Sequence, residues 1–470
     1  MAEAPKSPSP RPHVLIVPYP AQGHINPMLQ FSKRLAARGI RATLATTIYL
    51  AKSMHVDPTA PVDVETISDG YDEGGYGQAK TPDDYQKSLE TVGSRTLAAL
   101  IERLEESDRP VHAVIYDGFI PWALDVTRRY SKVGVVFFTQ TCAVNNIYYH
   151  VQRGLLGLPL EGPVVSVPGL PPLRPSETPS YVYKLGSYPA FYDMVINQFI
   201  NVDEADIVLF STFYELEKEV VDWMSASLWP LKTIGPTLPS AYLDKRLDGD
   251  SDYAINLFES TADVCSSWLN SKPHGSVIYV SFGSMARLPH LQVTELSNAL
   301  VRSARPFLWV VRSDEQHKLP GHLSTATDRG LWLIVPWCNQ LEVLSHRSVG
   351  CFVTHCGLNS VIEAICLGVP MVAVPQWTDQ TTNAKYIEDV WRVGVRTRMS
   401  IGEDGSEIVR SDALEECLRE VMEGERAKEM KENALKWKEK ARAALDDGGS
   451  SDQNIEAFVG QLLRMINTIE

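Results

Sequence analysis

The sequence predicts an α/β protein of two parallel-sheet domains that face each other across a cleft. Three observations predict it. Short apolar runs bounded by turns alternate with helical patterns along most of the chain, as in βαβ units. The alternation pauses over residues 235–260, which are rich in Pro, Ser, Gly and Asp, and then resumes. The chain has 470 residues, 44% hydrophobic and 22% charged, which is enough apolar material for two large cores.

Residues 13–19 form the first predicted strand. A loop over 20–26 follows, with Asn26 as helix N-cap and Pro27 in the first helical position; that helix runs to Arg38 and stops at Gly39. Further strands are expected at 41–47, 62–67, 112–116, 133–138, 207–211 and 231–234, with helices between most of them. The first domain therefore spans 1–240, and proline-rich 164–180 reads as an ordered loop over it. Residues 241–260 read as a linker, because 243–252 alternate charges with almost no apolar content. The second domain, 261–450, has expected strands at 276–282, 306–312, 331–335, 350–354 and 371–374. Its last segment, 427–444, reads as a solvated surface helix. In 451–470 the residues Ile455, Phe458, Val459, Leu462, Leu463 and Ile466 recur at helical spacing, so a terminal amphipathic helix docks on the body.

The formal net charge is -14, from 44 Lys+Arg against 58 Asp+Glu, and the pI is near 5.3. Neither nucleic acid nor an anionic membrane is attracted to such an average surface. No stretch approaches the roughly 20 apolar residues that span a bilayer, and nothing at the start reads as a signal peptide, so a cytoplasmic protein is expected. Seven cysteines without a C-x-x-C pair indicate neither a disulfide framework nor a zinc ribbon.

Two places have the form of sites. The first is the loop after strand one, where His24 sits at the carboxyl end of a parallel strand, the edge at which open α/β sheets bind ligands. Asp117 ends another strand of the same sheet and emerges on the same edge. A carboxylate that holds the Nδ1 proton of a histidine makes Nε2 the better base. From the residues alone, His24 and Asp117 could equally be helix caps. The second place is residues 354–360, THCGLNS, where Gly, Asn and Ser at a helix start offer backbone N–H groups to an anion, or simply cap the helix.

Residues 337–380 read WCNQLEVLSHRSVGCFVTHCGLNSVIEAICLGVPMVAVPQWTDQ and closely resemble the 44-residue signature box of plant family 1 UDP-glycosyltransferases. PYPAQGHINPMLQF at 18–31 and VSFGSM at 280–285 also look like that family, so the resemblance covers essentially the whole chain. It implies the GT-B fold: two facing Rossmann-like domains, acceptor on the first and nucleotide sugar on the second, with 451–470 packing back on the first. The implied reaction is inverting transfer of glucose from UDP-glucose to a hydroxyl or carboxylate of an apolar small molecule. UDP-glucose is then a co-substrate, and no bound cofactor, metal or protein partner is implied for what is expected to be a monomer. His24 matches the general base and Asp117 its orienting carboxylate. Trp337 matches the ring stacked on uracil, and Cys338 the backbone that reads the base edge. Glu363, with Gln340 nearby, matches the ribose-binding position. His355, Asn359, Ser360 and Ser284 match diphosphate donors, while Asp379 and Gln380 match groups holding the sugar. Leu358 stands where the family usually has tryptophan; its amide remains available, and a vacated indole pocket is the expectation. The acceptor is expected near Ile120, Gln140, Asn145, Tyr188 and Gln198. The competing reading is a receptor that binds a UDP-sugar or a hormone without turnover.

Overall fold

A computed structural model describes residues 11–54, 61–253, 262–324, 330–402 and 407–469. The first sheet has seven parallel strands: β1 (His13–Val17), β2 (Arg41–Thr47), β3 (Val62–Ile67), β4 (Ala113–Asp117), β5 (Val133–Phe138), β6 (Ile207–Phe210) and β7 (Leu231–Thr233). Their order is β3-β2-β1-β4-β5-β6-β7, with Val14 beside Ala42 on one side and Ala113 on the other. Helices cover both faces, which is why Val14, Leu15, Ile16 and Val17 are all completely buried and why β1 reads as a continuous apolar run.

The second sheet repeats the plan with β8 (Val277–Ser281), β9 (Phe307–Val310), β10 (Trp332–Val335), β11 (Val349–Thr354), β12 (Met371–Ala373) and β13 (Gly394–Arg396), in the order β10-β9-β8-β11-β12-β13. The sequence reading lacks β13, a three-residue edge strand, and the small antiparallel pair β14 (Ser400–Ile401) with β15 (Glu407–Ile408). In each sheet the strand order reverses once, between β1 and β4 and between β8 and β11. Such switch points open crevices at the carboxyl ends of the strands.

Three local expectations are corrected. The first helix runs Gln22–Ala36, so Asn26 is a buried helical residue rather than a cap, and Pro27 lies inside the helix. The described part of the expected linker exposes Lys245, Arg246, Asp248, Ser251 and Asp252 but is not loose. Asp244 takes a two-point bond from Arg34 (2.8 and 3.1 Å), and Asp250 pairs with Lys33 at 2.6 Å, which straps 244–250 to the first helix. The helix Ala427–Leu445 is solvated on one side only; Met430, Ala434 and Ala441 are buried on the other. Residues 254–261 lie outside the described residues. The terminal helix Ser450–Ile469 covers the first sheet: Phe458 meets Phe31 at 5.6 Å between ring centroids, and Asn454 donates to the Thr233 carbonyl at 2.9 Å. None of the seven cysteines is in a disulfide, and no described helix is long and apolar enough to cross a membrane.

The proline-rich loop belongs to the seam between the domains. Thr178 and Glu177 present their carbonyls to Thr381 and Thr382 of the second domain, at 2.6 and 2.8 Å. The Glu177 carboxylate, 2% exposed as a residue, lies between Arg174 and Arg396 (2.8 and 2.9 Å), with Lys385 at 3.5 Å. Desolvation alone would raise its pKa, but hydrogen bonds from Arg174 and Arg396 hold it down at about 2. A carboxylate whose folded pKa is depressed stabilises above its unfolded value, here 4.5, and that contribution is lost as pH falls towards 2. Glu177→Gln should therefore lower Tm at pH 7, and the gap between the two proteins should close as pH is taken from 5 towards 2. Thermal unfolding followed across that range checks it; a pH-independent gap would mean that packing, not charge, holds the seam.

Candidate active site

The switch point of the first sheet carries an acid–base pair. β1 ends at Val17, the chain turns through Pro18 and Pro20, and His24 emerges in the first turn of the helix that follows. β4 ends on Asp117, which is 1% exposed and sits 2.7 Å from His24 Nδ1 through Oδ2. The other carboxylate oxygen accepts the Phe119 amide at 2.9 Å, so the group is clamped from two sides. In the tautomer in which Nδ1–H donates to Asp117, the Nε2 lone pair is left available. Thr139, at the end of β5, adds its hydroxyl 3.0 Å from the same Nδ1. The rings of Phe119 and Tyr19 lie 4.7 and 5.3 Å from the imidazole.

The second switch point holds the turn after β11. Cys356 adopts φ +69°, a conformation costly for any residue but glycine, and it is held there by its amide bond to Thr354 Oγ1 and by Asn383 donating to its carbonyl. The strained turn launches the helix Leu358–Leu367 with its N-terminal amides facing the crevice. His355 is packed so closely on Gly283 that a Cβ there would come within 2.9 Å of its ring. Burial lowers its pKa to about 4, so it is neutral, and its Nδ1 is buried without a partner. One helical turn on, Gln340 donates to Ser360 Oγ (2.9 Å) and Glu363 Oε2 (2.6 Å), while Tyr253 donates to Glu363 Oε1 (2.9 Å). Burial raises Glu363 to about 7 against those hydrogen bonds. Trp337 is half-buried, Cys338 is buried against Tyr279, and Ser284 is exposed on the turn after β8.

Asp379 caps the short helix Gln380–Lys385; burial raises it to about 6, and His24 is near enough to pull it partly back. Asn383 donates to it at 2.7 Å. Gln380 Oε1 accepts the amides of Gln376 and Trp377, which fixes the loop before it. Thus His24, the strained turn and Asp379 lie at one cleft.

The residues expected around the acceptor are placed less evenly. Ile120 and Gln198 pack at the Asp117–Gly118 turn, Ile120 through its amide to the Asp117 carbonyl and Gln198 beside Gly118. Gln140 follows Thr139 and is buried. Asn145 is corrected as a pocket group, because it has no exposed surface and gives its amide hydrogens to the Gln140 and Thr141 carbonyls. Tyr188 alone of the five is open, at 51% exposure. It belongs to an aromatic wall that the sequence reading missed: Trp377 of the second domain touches the rings of Tyr181, Tyr188 and Phe191. Gln86 joins the far side, donating to Tyr19 Oη at 2.8 Å and to the Met194 sulfur.

A sequence model described as UDP-glucoronosyl and UDP-glucosyl transferase matches residues 205–439, and one described as the N-terminal domain of glycosyltransferases matches 12–59. The chain is 48% identical over 455 residues to UDP-glycosyltransferase 74F2 of Arabidopsis thaliana, covering 96% of this chain and 98% of the relative. It belongs to the plant family 1 UDP-glycosyltransferases. Mogroside I-E synthase of Siraitia grosvenorii is 44% identical, with 96% and 98% covered. Os79 from O. sativa, solved with UDP, is 41% identical and superposes with a TM-score of 0.89 over 96% of this chain and 100% of that one. The two parallel sheets are therefore the GT-B arrangement, and the protein is a glucosyltransferase for which a UDP-sugar is co-substrate. These relatives are named for transfer, which leaves the receptor reading without support.

Leu358 does not leave an indole-sized hole. The void beside it, shared with Asn26, Pro27, Tyr253 and Ile362, has about 10 Å³, room for one water. The expectation of a vacated pocket is corrected: neighbours have closed around leucine. Leu358→Trp should thus overpack the seam at a cost of about 1 to 3 kcal/mol, seen as a lower Tm, and should not tighten donor binding. Glu363 yields a second expectation. Near pH 7 it is partly protonated, and a ribose hydroxyl can donate fully only to the ionised form. Affinity for uridine, which carries no titrating phosphate, should rise as pH increases from 6 to 8, and Glu363→Gln should abolish that slope in calorimetry.

Proposed function

We propose that this enzyme transfers glucose from UDP-glucose to a hydroxyl or carboxylate of an apolar, ring-bearing plant metabolite, with His24 as base and Asp117 as its orienting partner. The observation that carries it is the 2.7 Å bond from Asp117 to His24 Nδ1, set at the mouth of an aromatic-walled cleft and facing Asp379. The acceptor lies against Tyr188, Phe191 and Trp377 with its nucleophilic oxygen towards His24 Nε2. For an alcohol or phenol the proton passes to Nε2, and the imidazolium formed is held by Asp117. The acceptor oxygen attacks the anomeric carbon from the face opposite the diphosphate. The C–O bond to phosphate breaks with its electron pair, UDP leaves, and the configuration inverts to a β-glucoside.

The second domain holds the donor. Trp337 stacks on the base, the Cys338 backbone reads its edge, and Glu363 and Gln340 take the ribose. The amides that open the Leu358–Leu367 helix, with His355, Asn359, Ser360 and Ser284, receive the charge that develops on the leaving diphosphate. Asp379 and Gln380 hold the glucose hydroxyls. Support for an apolar acceptor comes from the aromatic wall and from relatives named for a mogroside and, in a second Arabidopsis case, for a flavonol. The same reading makes the protein a cytosolic monomer.

The test is product detection by mass after incubation with UDP-glucose and a panel of phenols, carboxylic acids and terpenoid alcohols. Glucosides of at least one class are expected; release of free glucose alone would point to a hydrolase. His24→Ala should reduce transfer to an alcohol by about 10² to 10⁴. It should cost a carboxylate acceptor less, because that oxygen carries no proton to remove, and equal losses would overturn the role given to His24.

A further inference from the structure

Pro27 sits at the sixth position of the Gln22–Ala36 helix. It has no N–H, so the carbonyl four residues back, on Gly23, lacks the usual donor of an α-helix. That carbonyl is not left bare: Asn359 Nδ2, from the turn of the other domain, donates to it at 2.8 Å. The contact lies immediately before His24 in sequence, on the same helical turn. The approach does not depend on glycine, because a Cβ added at Gly23 would lie 3.6 Å from Nδ2, an ordinary contact. Beside the contact, the water-sized void borders Asn26, Pro27, Leu358 and Asn359, and Asn26 Oδ1 is buried there without a partner. At this point of the seam, that directional bond ties the turn that carries His24 to the turn after β11.

We propose that Asn359 is a positioning residue: by bonding the Gly23 carbonyl that Pro27 frees, it sets His24 at the distance from the donor turn that in-line attack requires. This rests on the transfer reading above and adds to it a route by which the second domain controls the base in the first. The proline has a function here beyond shaping the helix, namely keeping an acceptor free for the opposite domain. When UDP orders the turn, Asn359 becomes a fixed anchor, and the His24 turn is ordered with it.

Pro27→Ala tests this without removing any group that touches donor or acceptor, because the restored N–H draws the Gly23 carbonyl back into the helix. The expected result is a fall in kcat of roughly ten- to a hundredfold, since small misplacements of reacting groups cost that much. Affinity for UDP by calorimetry should stay within twofold, and Tm should not fall, because an interior proline disfavours a helix. Asn359→Ala should lower kcat and also weaken UDP. The double variant should have a kcat no lower than the slower single variant, because both remove one bond. Hydrogen exchange gives a readout independent of turnover: UDP should slow exchange of the amides at 24–26 in the native protein and in neither variant. Wild-type kcat and UDP-dependent protection in Pro27→Ala, or additive losses in the double variant, would overturn the proposal. If the native protein transfers glucose to no acceptor, the function proposed above fails, while the exchange experiment still decides the role of Asn359.

Discussion

Transfer of a sugar from UDP to an acceptor requires two separate sheets to be fixed edge to edge, so the chemistry depends on the seam between them. Beside the aromatic contacts of Trp377, a set of polar bonds crosses that seam. The Glu177 cluster, the paired bonds between Ser180 and Thr378 (2.8 and 2.6 Å) and the Trp391 indole donating to the Leu216 carbonyl (3.0 Å) all cross it. Directional bonds suit this task better than an apolar face would, because they specify a spacing and an angle rather than merely an area. Thr378 pays for its place with φ +56°, and its partners on Ser180 explain why the strained conformation persists.

Both halves use the same solution for aiming functional groups. At each switch point a strand ends, the chain turns sharply, and a helix begins, which puts side chains and free amides into a crevice backed by a rigid sheet. The residues at those points are then tuned by burial. Asp117 has donors on both oxygens, whereas burial raises Asp379 and Glu363 to about 6 and 7 against the hydrogen bonds they accept. A cleft with partly protonated acids tolerates a dianionic leaving group better than one lined by full carboxylate charges, since less repulsion has to be overcome when the nucleotide arrives.

Much of this was legible in the sequence for a physical reason. Strands buried on both faces must be apolar along their whole length, so β1, β5, β8 and β11 declare themselves, while β13, only three residues at an edge, has too little pattern to do so. The charged run at 243–252 lies largely on the surface, as its composition indicates, but composition could not say that Asp244 faces Arg34 rather than water. The aromatic wall was invisible for a similar reason: Tyr181, Tyr188, Phe191 and Trp377 are brought together only by the closing of two domains. His24 and Asp117 could be placed on one sheet edge, but their pairing, and the hydroxyl of Thr139 beside it, needed the fold.

The start of the first helix is the most instructive error. Asn followed by Pro is a strong local signal for a helix start, and local preference alone favours beginning there. The chain instead begins the helix at Gln22, accepting a proline in its interior. A helix starting at Asn26 would leave His24 in a flexible loop and its Nδ1 unfixed relative to Asp117. Starting earlier places the imidazole on a regular turn, one residue after the carbonyl that the opposite domain grips. The local cost of an interior proline, of order 3 kcal/mol in an unconstrained helix, falls here because the orphaned carbonyl finds another donor. Tertiary context thus overrides the capping rule where the position of His24 against Asp117 is at stake, and this is where a sequence should be expected to depart from its own local preferences.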